Sequence, residues 1–214
     1  MKKQFKIAAI AFGLFTAFAG AQAQAANGTK EDHFNVTIKL EGMCEVLQTN
    51  GGKTTGNIAS EGEVAAMAGA DIDFGTHDAK SADPALTQGN KGAAAGIQVH
   101  CSKNTPFNVG LTPLNVNSTT GQGTMNGLAS GNSDTVIYQL YKPTVNGSGL
   151  TESIQNTAST NVWGDQIGTN TLALTGKGLN TPIQIPVWAK ISGANSIDKY
   201  VDRYQDRVKV TLTY

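Results

Sequence analysis

Strict alternation of apolar and polar residues marks the first candidate strand, at residues 34–40 near the start of the chain. Its apolar positions are Phe34, Val36, Ile38 and Leu40. Because successive side chains of a strand point to opposite faces, these four residues share one face. The segment is either the first strand of a self-sufficient sandwich or a strand that fills the core of another molecule. Residues 43–47 can begin the first core strand by themselves, which favours the second interpretation.

Patterns with a period of two residues recur along the rest of the chain, whereas convincing amphipathic helical patterns do not. Residues 97–101 and 107–111 alternate clearly, and residues 208–214 do so most clearly of all. Residues 135–141 are more continuously apolar, which suits a central strand, and residues 172–174 predict a short edge strand. On the last strand, the apolar face carries Val208, Val210, Leu212 and Tyr214.

Proline and turn residues define how these strands are connected. Apolar residues share one face along residues 183–191, where Pro182 and Pro186 predict an edge or a bulge. Turn signals rich in glycine and asparagine, such as residues 50–52 and 146–149, separate the strands. The predicted fold class is therefore all-β, with an antiparallel sandwich.

The N-terminus has the features of a secretory signal peptide. A basic start is followed by an apolar stretch at residues 7–20 and by a small-x-small cleavage site at residues 23–25. The apolar stretch is shorter than the roughly 20 residues that span a bilayer. We therefore predict that residues 1–25 are removed and that the mature chain has no membrane span, with an uncleaved anchor as the alternative.

Charge and composition narrow the class of protein. Loss of Lys2, Lys3 and Lys6 would turn 16 basic residues into 13 against 16 acidic ones, a net charge near minus three. Such a weak charge does not predict nucleic acid as a partner. Charged residues make up 15% of the chain, below the roughly 25% of ordinary soluble proteins. This composition is typical of a β-rich extracellular protein.

Cys44 and Cys101 are the two cysteines of the sequence. In an oxidising compartment such a pair most simply forms one disulfide, which would link an early strand to a later one. A zinc site would need further ligands, and His100 points to the opposite face of the strand from Cys101. We therefore predict neither a metal nor a cofactor.

Candidate catalytic and ligand-binding residues are few. The sequence lacks a serine-hydrolase elbow, a zinc-protease motif and a calcium loop. Asp71 and Asp73 are best explained as solvated residues at a strand edge. Trp163 and Trp188 could stack on sugars, although aromatic residues of a β-protein more often pack in its core. The sequence therefore does not predict an enzyme.

Short motifs occur along the mature chain in the order found in spore coat U domain proteins. They are Gly42-Met-Cys44, Ile72-Asp-Phe-Gly75, Ile97-Gln-Val-His-Cys-Ser102, Pro106-Phe-Asn-Val-Gly-Leu111, Tyr138-Gln-Leu-Tyr141, Trp163-Gly-Asp165 and the ending Tyr204-Gln-Asp-Arg-Val-Lys-Val-Thr-Leu-Thr-Tyr214. With the two cysteines and the terminal tyrosine, this ordered set resembles that family, which includes the pilins of archaic chaperone–usher systems. The chain departs from the pattern at Asp202, where glycine is frequent, and at Trp188-Ala189, where Tyr-Gly is frequent.

The resemblance implies an immunoglobulin-like sandwich, here residues 42–214, that lacks its final strand. An N-terminal extension, here residues 26–41, would supply that strand to a neighbouring subunit by β-strand addition. The inserted residues would be Phe34, Val36, Ile38 and Leu40. The acceptor groove, which is also the chaperone-binding strand, would carry Val208, Val210, Leu212 and Tyr214.

The resemblance also implies function, partners and location. The chain would be a structural subunit of a cell-surface pilus, exported through the periplasm and supporting adhesion and biofilm formation. Its partners would be identical or related pilin subunits, a periplasmic chaperone and an outer-membrane usher. The alternative is a monomeric secreted β-sandwich that binds a ligand such as a carbohydrate. A tip adhesin normally carries an additional domain, and a mature chain the size of one domain does not favour it.

Overall fold

The computed structural model describes residues 30–48, 69–79, 90–93, 95–191 and 198–214. The predicted signal peptide, residues 1–25, lies outside these ranges, as does the beginning of the predicted extension. The chain divides into two units between Lys39 and Leu40. Among the described residues, no helix reaches the length and hydropathy that crossing a membrane requires.

Strands account for almost all regular structure in the described part of the chain, and a single 3-10 turn spans Gly149–Thr151. The strands are β1 (Cys44–Gln48), β2 (Lys91–Gly92), β3 (Ile97–Cys101), β4 (Pro106–Pro113), β5 (Gln122–Gly127), β6 (Thr135–Asn146), β7 (Ser153–Val162), β8 (Leu172–Thr175), β9 (Ile183–Ile185), β10 (Trp188–Ile191), β11 (Tyr204–Gln205) and β12 (Val208–Thr213).

These strands form three antiparallel sheets. The first has the order β1-β3-β9, the second β11-β5-β6-β10-β2 with β7 also paired to β6, and the third β12-β4-β8. All pairings are antiparallel. The predicted all-β class with antiparallel sheets is therefore confirmed.

Several predicted strands occur where the sequence placed them. The segment at 135–141 belongs to β6, which lies between β5 and β10, and the segment at 172–174 belongs to β8 at a sheet edge. The segment at 183–191 differs, because it forms two strands that belong to different sheets. β9 pairs with β3, and after Pro186 the chain continues as β10, which pairs with β6. Proline lacks the N–H that a continuous ladder would need at this position, so the chain changes sheets there.

One apolar core joins the three sheets. Its most completely buried side chains come from β3, β4, β6 and β9 and from Trp163. The Trp163 indole N–H donates a 2.8 Å hydrogen bond to the Val109 carbonyl, so the ring is buried without leaving its polar atom unpaired. A Cβ at Gly121, where φ is +78°, would overlap the Trp163 carbonyl, so this position requires glycine.

The predicted disulfide between Cys44 and Cys101 is present in the structure. The two residues lie opposite each other on β1 and β3, with 4.1 Å between their Cα atoms. Such a short separation is typical of an antiparallel pair whose backbones do not hydrogen-bond to each other. The disulfide therefore fixes β1 to the rest of the first sheet through side chains as well as through its ladder.

Candidate functional site

The apolar face of β12 is incompletely covered. Val210 and Leu212 pack against the core but remain half-buried, while Val208 is 36% and Tyr214 is 63% exposed. On the neighbouring strand β4, by contrast, Phe107, Val109 and Leu111 are almost completely buried. Three of the four residues predicted to line an acceptor groove thus share β12, Tyr214 directly follows it, and the strand lies at the margin of the core.

The backbone of β12 pairs on one side within the described structure. Residues of β12 lie opposite those of β4, from Val208 against Pro113 to Thr213 against Asn108. The Leu114 N–H donates a 2.8 Å hydrogen bond to the Arg207 carbonyl, which fixes the alternation of the ladder. Because bonded and non-bonded residues alternate, the amide and carbonyl groups of Val208, Val210 and Leu212 face away from β4. They are positioned to accept another strand.

β1 lies at the edge of the first sheet and pairs with β3. The Ser102 N–H donates a 2.8 Å hydrogen bond to the Met43 carbonyl, so the backbone of Cys44 and Val46 faces the opposite, outer side. The His100 side chain, on β3, forms two contacts. Its Nε2 atom lies 2.9 Å from the Glu45 carboxylate, and its Nδ1 atom lies 2.9 Å from the Leu179 carbonyl oxygen. These contacts hold β1 in register with β3, and no described strand pairs with the outer edge of β1.

β1 and β12 lie close to each other, and we name the region between these two strands the open groove. Cα atoms of the two strands approach to within 8 Å. No ladder joins them among the described residues, since β1 pairs with β3 and β12 with β4. The open groove is thus a seam between two sheets, with half-covered apolar side chains along one side and strand edges that no described strand pairs with along both.

The segment predicted to be a donor strand forms no strand in the structure, which describes it from residue 30 onwards. Its four alternating apolar side chains are between 82% and 87% exposed; they are those of Phe34, Val36, Ile38 and Leu40. Burial of such side chains is normally the main source of stability in a strand of this composition. The exposed segment therefore has the sequence of a buried strand without the burial.

Two carboxylates hold the chain where it enters β12. Asp206 accepts hydrogen bonds from the Tyr138 hydroxyl at 2.9 Å and from the Asn115 N–H at 3.0 Å. Burial raises the pKa of Tyr138, and the nearby charge of Asp206 and the hydrogen bond to it raise this pKa further. The hydroxyl therefore stays protonated and donates to Asp206 throughout the neutral range. This bond connects β6 to the start of β12.

Asp202 forms a second connection in the same region. It accepts hydrogen bonds of 2.7 Å from the Ala129 N–H, the Asn132 side-chain amide and the Arg203 N–H. Burial alone would raise the pKa of Asp202, but these bonds and one from the Leu128 N–H lower it overall. At this position the chain departs from the family pattern. The hydrogen bonds of Asp202 thus connect the β5–β6 turn to the segment that precedes β12. Neither Asp206 nor Asp202 was predicted as a site residue, because their partners are distant in sequence.

The Tyr138–Asp206 bond leads to a specific prediction. Tyr138→Phe removes the donor and leaves a partly buried carboxylate with fewer partners, so we expect the free energy of unfolding to fall by about 1.5–3 kcal/mol. Urea denaturation of both proteins measures this loss. The control is Tyr141→Phe, in a half-buried tyrosine of the same strand. Equal losses in the two variants would show that the hydrogen bond to Asp206 does not itself contribute to the free energy of unfolding.

The residues considered for sugar binding or catalysis do not form a common site. Trp163 is 0% exposed and cannot stack on a ligand, so the favoured interpretation of this residue, packing in the core, is confirmed. Trp188 is half-buried, and its ring lies against Gly92. Asp73 accepts a hydrogen bond from the Gly75 N–H at 2.8 Å and, like Asp71, lies at the surface. In the part of the chain that the structure describes, no group of acidic, histidine or cysteine side chains could hold a metal ion.

Comparisons with known proteins give a family and distant structural matches. The family described as Spore Coat Protein U domain matches residues 30–211. No curated protein sequence matches the chain. A solved structure that matches is the chaperone–tip adhesion subunit pre-assembly complex CsuC–CsuE, from the archaic chaperone–usher Csu pili of Acinetobacter baumannii. It has 18% identity and a TM-score of 0.37, covering 83% of the present chain and 41% of the matched chain. The present chain thus spans less than half of that chain's length.

Proposed function

Because this chain belongs to the spore coat protein U domain family, we propose that it is a structural, non-catalytic subunit of a cell-surface pilus. It is exported through the periplasm and polymerises by donating its N-terminal extension, residues 26–41, to the open groove of the next copy. The resulting fimbrium supports adhesion and biofilm formation. The polymer requires no cofactor.

The observation that carries this proposal is the exposure of the apolar face of residues 34–40. Four apolar side chains that alternate in this way have the pattern of a strand with one buried face, yet more than four-fifths of each is exposed. Burying four of them stabilises a complex by about 6–12 kcal/mol before ordering costs, at roughly 1.5–3 kcal/mol each. The segment therefore gains most of its stability only when another molecule covers it.

The open groove supplies the complementary surface. Val210 and Leu212 provide a half-covered apolar floor, and the backbone of β12 provides amide and carbonyl groups that face outwards. Each ladder hydrogen bond to an incoming strand contributes about 1 kcal/mol. A strand inserted between two others holds them about 9.5 Å apart, whereas β1 and β12 approach to within 8 Å. Insertion of the donor strand therefore also widens the groove at its narrowest point.

The same geometry explains why assembly factors are needed. An unpaired strand edge beside exposed apolar side chains associates with other edges without selectivity. A periplasmic chaperone that covers β12 until an outer-membrane usher brings the next subunit would prevent this. The contact joins different surfaces of two copies, so it propagates as an open fibre and does not close as a dimer.

Deletion of residues 26–40 tests the proposal. The full mature chain should form multimers that size-exclusion chromatography and electron microscopy detect, whereas the deletion variant should form none.

A synthetic peptide of residues 30–41 should raise the unfolding temperature of the deletion variant without restoring fibres, because the peptide fills the groove but carries no groove of its own. Fibres of normal length from the deletion variant would contradict the proposal. So would a soluble, stable monomer from the undeleted chain, which is the behaviour of a secreted binding module.

A further inference from the structure

A pocket lies directly before the first residue of β12, where the chain enters that strand. We name it the mouth pocket; its lining residues are Leu114, Asn115, Asn126, Leu128, Gln205, Asp206 and Arg207. Leu114 is 39% exposed, and the hydrogen bonds of Asp206 to Tyr138 and Asn115 hold the polar wall in place. The pocket is therefore a preformed surface with an apolar component, and the described part of the chain leaves it open.

The opposite end of the groove is where the extension leaves the body of its own molecule. Cys44, at the start of β1, lies opposite Cys101, and a short turn connects Cys101 to the start of β4. The last residues of β12 lie opposite that same end of β4, since Thr213 faces Asn108. We name this end, which comprises Cys44, Cys101 and the last residues of β12, the base. The base and the mouth pocket thus lie at opposite ends of β12.

The short connection between donor segment and body restricts how a second copy can sit. Residues 41–43 separate Leu40 from Cys44, so the Cα atoms of Leu40 and Cys44 are at most about 14 Å apart. If the donor strand ran parallel to β12, the base of each copy would have to contact the bases of both its neighbours. If it runs antiparallel, each base meets the mouth pocket of the previous copy. The antiparallel arrangement joins opposite ends of successive copies, so the copies extend along one direction as a fibre.

The residue pattern fits the antiparallel arrangement in one register. When Leu40 lies opposite Val208, the remaining pairs are Ile38 with Val210, Val36 with Leu212 and Phe34 with Tyr214. In this register the connection passes the mouth pocket, where Glu41 lies opposite Arg207, Gly42 opposite Asp206 and Met43 opposite Gln205. The unfavourable pair is Lys39 with Lys209, on the outer face, where water screens like charges.

We propose that the mouth pocket docks the base of the incoming copy, with the Met43 side chain of that copy against Leu114 and Leu128. This inference rests on the proposed donor-strand function and adds a second contact to it. Met43 is 42% exposed in the free chain, so it has apolar surface left to bury. The second contact fixes the angle between successive subunits, which the donor strand alone leaves free.

Two peptides separate the docking contact from the donor strand itself. One comprises residues 30–40 and the other residues 30–43, each ending in an amide. The acceptor is the full mature chain carrying Val36→Asp and Ile38→Asp, which disable its own donor strand, refolded with either peptide. We expect the longer peptide to bind about fivefold to tenfold more tightly, as expected for partial burial of one methionine side chain. Met43→Ser in the longer peptide should remove this gain.

Substitutions in the acceptor complete the test. Leu114→Asp should abolish the advantage of the longer peptide while leaving the affinity for residues 30–40 unchanged. Leu150→Asp, at a similarly exposed leucine in the turn between β6 and β7, should preserve the advantage. Equal affinity of both peptides for the unsubstituted groove would overturn the docking contact and leave the donor-strand proposal standing. Failure of both peptides to bind would overturn the donor-strand proposal and the docking contact together.

Discussion

Ile38→Asp is expected to abolish fibre formation. The substitution places a carboxylate on the face of the donor segment that enters the open groove, where it would have to be buried without a partner or become protonated. It also removes the roughly 1.5–3 kcal/mol that burial of isoleucine contributes. A combined loss above about 4 kcal/mol weakens each contact more than a thousandfold, and a polymer requires every contact. Electron microscopy and the multimer fraction in size-exclusion chromatography measure the result.

Alternation along the donor segment provides a matched control. Thr37 lies next to Ile38 and faces the opposite side of the strand, so Thr37→Asp adds the same charge to the same segment without entering the groove. We expect its fibre yield to stay close to that of the unsubstituted chain. If Thr37→Asp abolished fibres as completely as Ile38→Asp, charge and not burial would control assembly. Normal fibres from Ile38→Asp would remove residues 34–40 from the donor role.

Loss of the disulfide is expected to lower the free energy of unfolding by about 4 kcal/mol. The cysteines are 57 positions apart in sequence, and closing a loop of that length restricts the unfolded chain by about this amount in the chain-entropy description. Both side chains are buried, so alanine adds only a small packing loss to this figure. Guanidinium denaturation of the double Cys44→Ala, Cys101→Ala variant, complexed with the donor peptide, gives the difference.

The disulfide variant also reports on the open groove, because β1 forms one of its edges. Without the bond, β1 is held by its ladder with β3 and by the Glu45–His100 contact. Single alanine variants should lose about as much stability as the double variant, since either one removes the same cross-link. Two cysteines that react with an alkylating agent in the exported, folded chain would show that the bond is absent. A stability loss below about 1 kcal/mol would show that it does not constrain the unfolded chain.

Local periodicity was sufficient to locate strands but not to assign their partners. Residues 97–101, 107–111 and 208–214 alternate clearly. The first segment coincides with β3, the second lies within β4, and the third extends one residue beyond β12. Residues 183–191 also alternate, yet they belong to two sheets. The sequence marked Pro186 as an irregularity but could not show that the chain changes partner there, because pairing depends on residues of β3 and β6 that are distant in the chain.

In the candidate site, too, the sequence identified some residues and only the structure identified the others. Its apolar residues were identified from sequence because they repeat every second position. The connections that hold the start of β12, from Asp206 to Tyr138 and from Asp202 to Ala129, have no local pattern, since each joins residues about 70 positions apart. The burial of Trp163 likewise depends on a carbonyl of β4, and it removed the residue from the possible sugar-binding groups.

The sequence by itself determined that this protein is all-β, where its principal strands lie and which residues of the first and last segments share an apolar face. These properties follow from the two-residue period of a strand, which neighbouring residues determine. Only the tertiary structure decided that β12 has an edge beside β1 to which no described strand pairs, that its apolar face is half covered and that a pocket lies at its start. Those properties depend on which strands are adjacent, and that adjacency comes from packing between residues far apart in the chain.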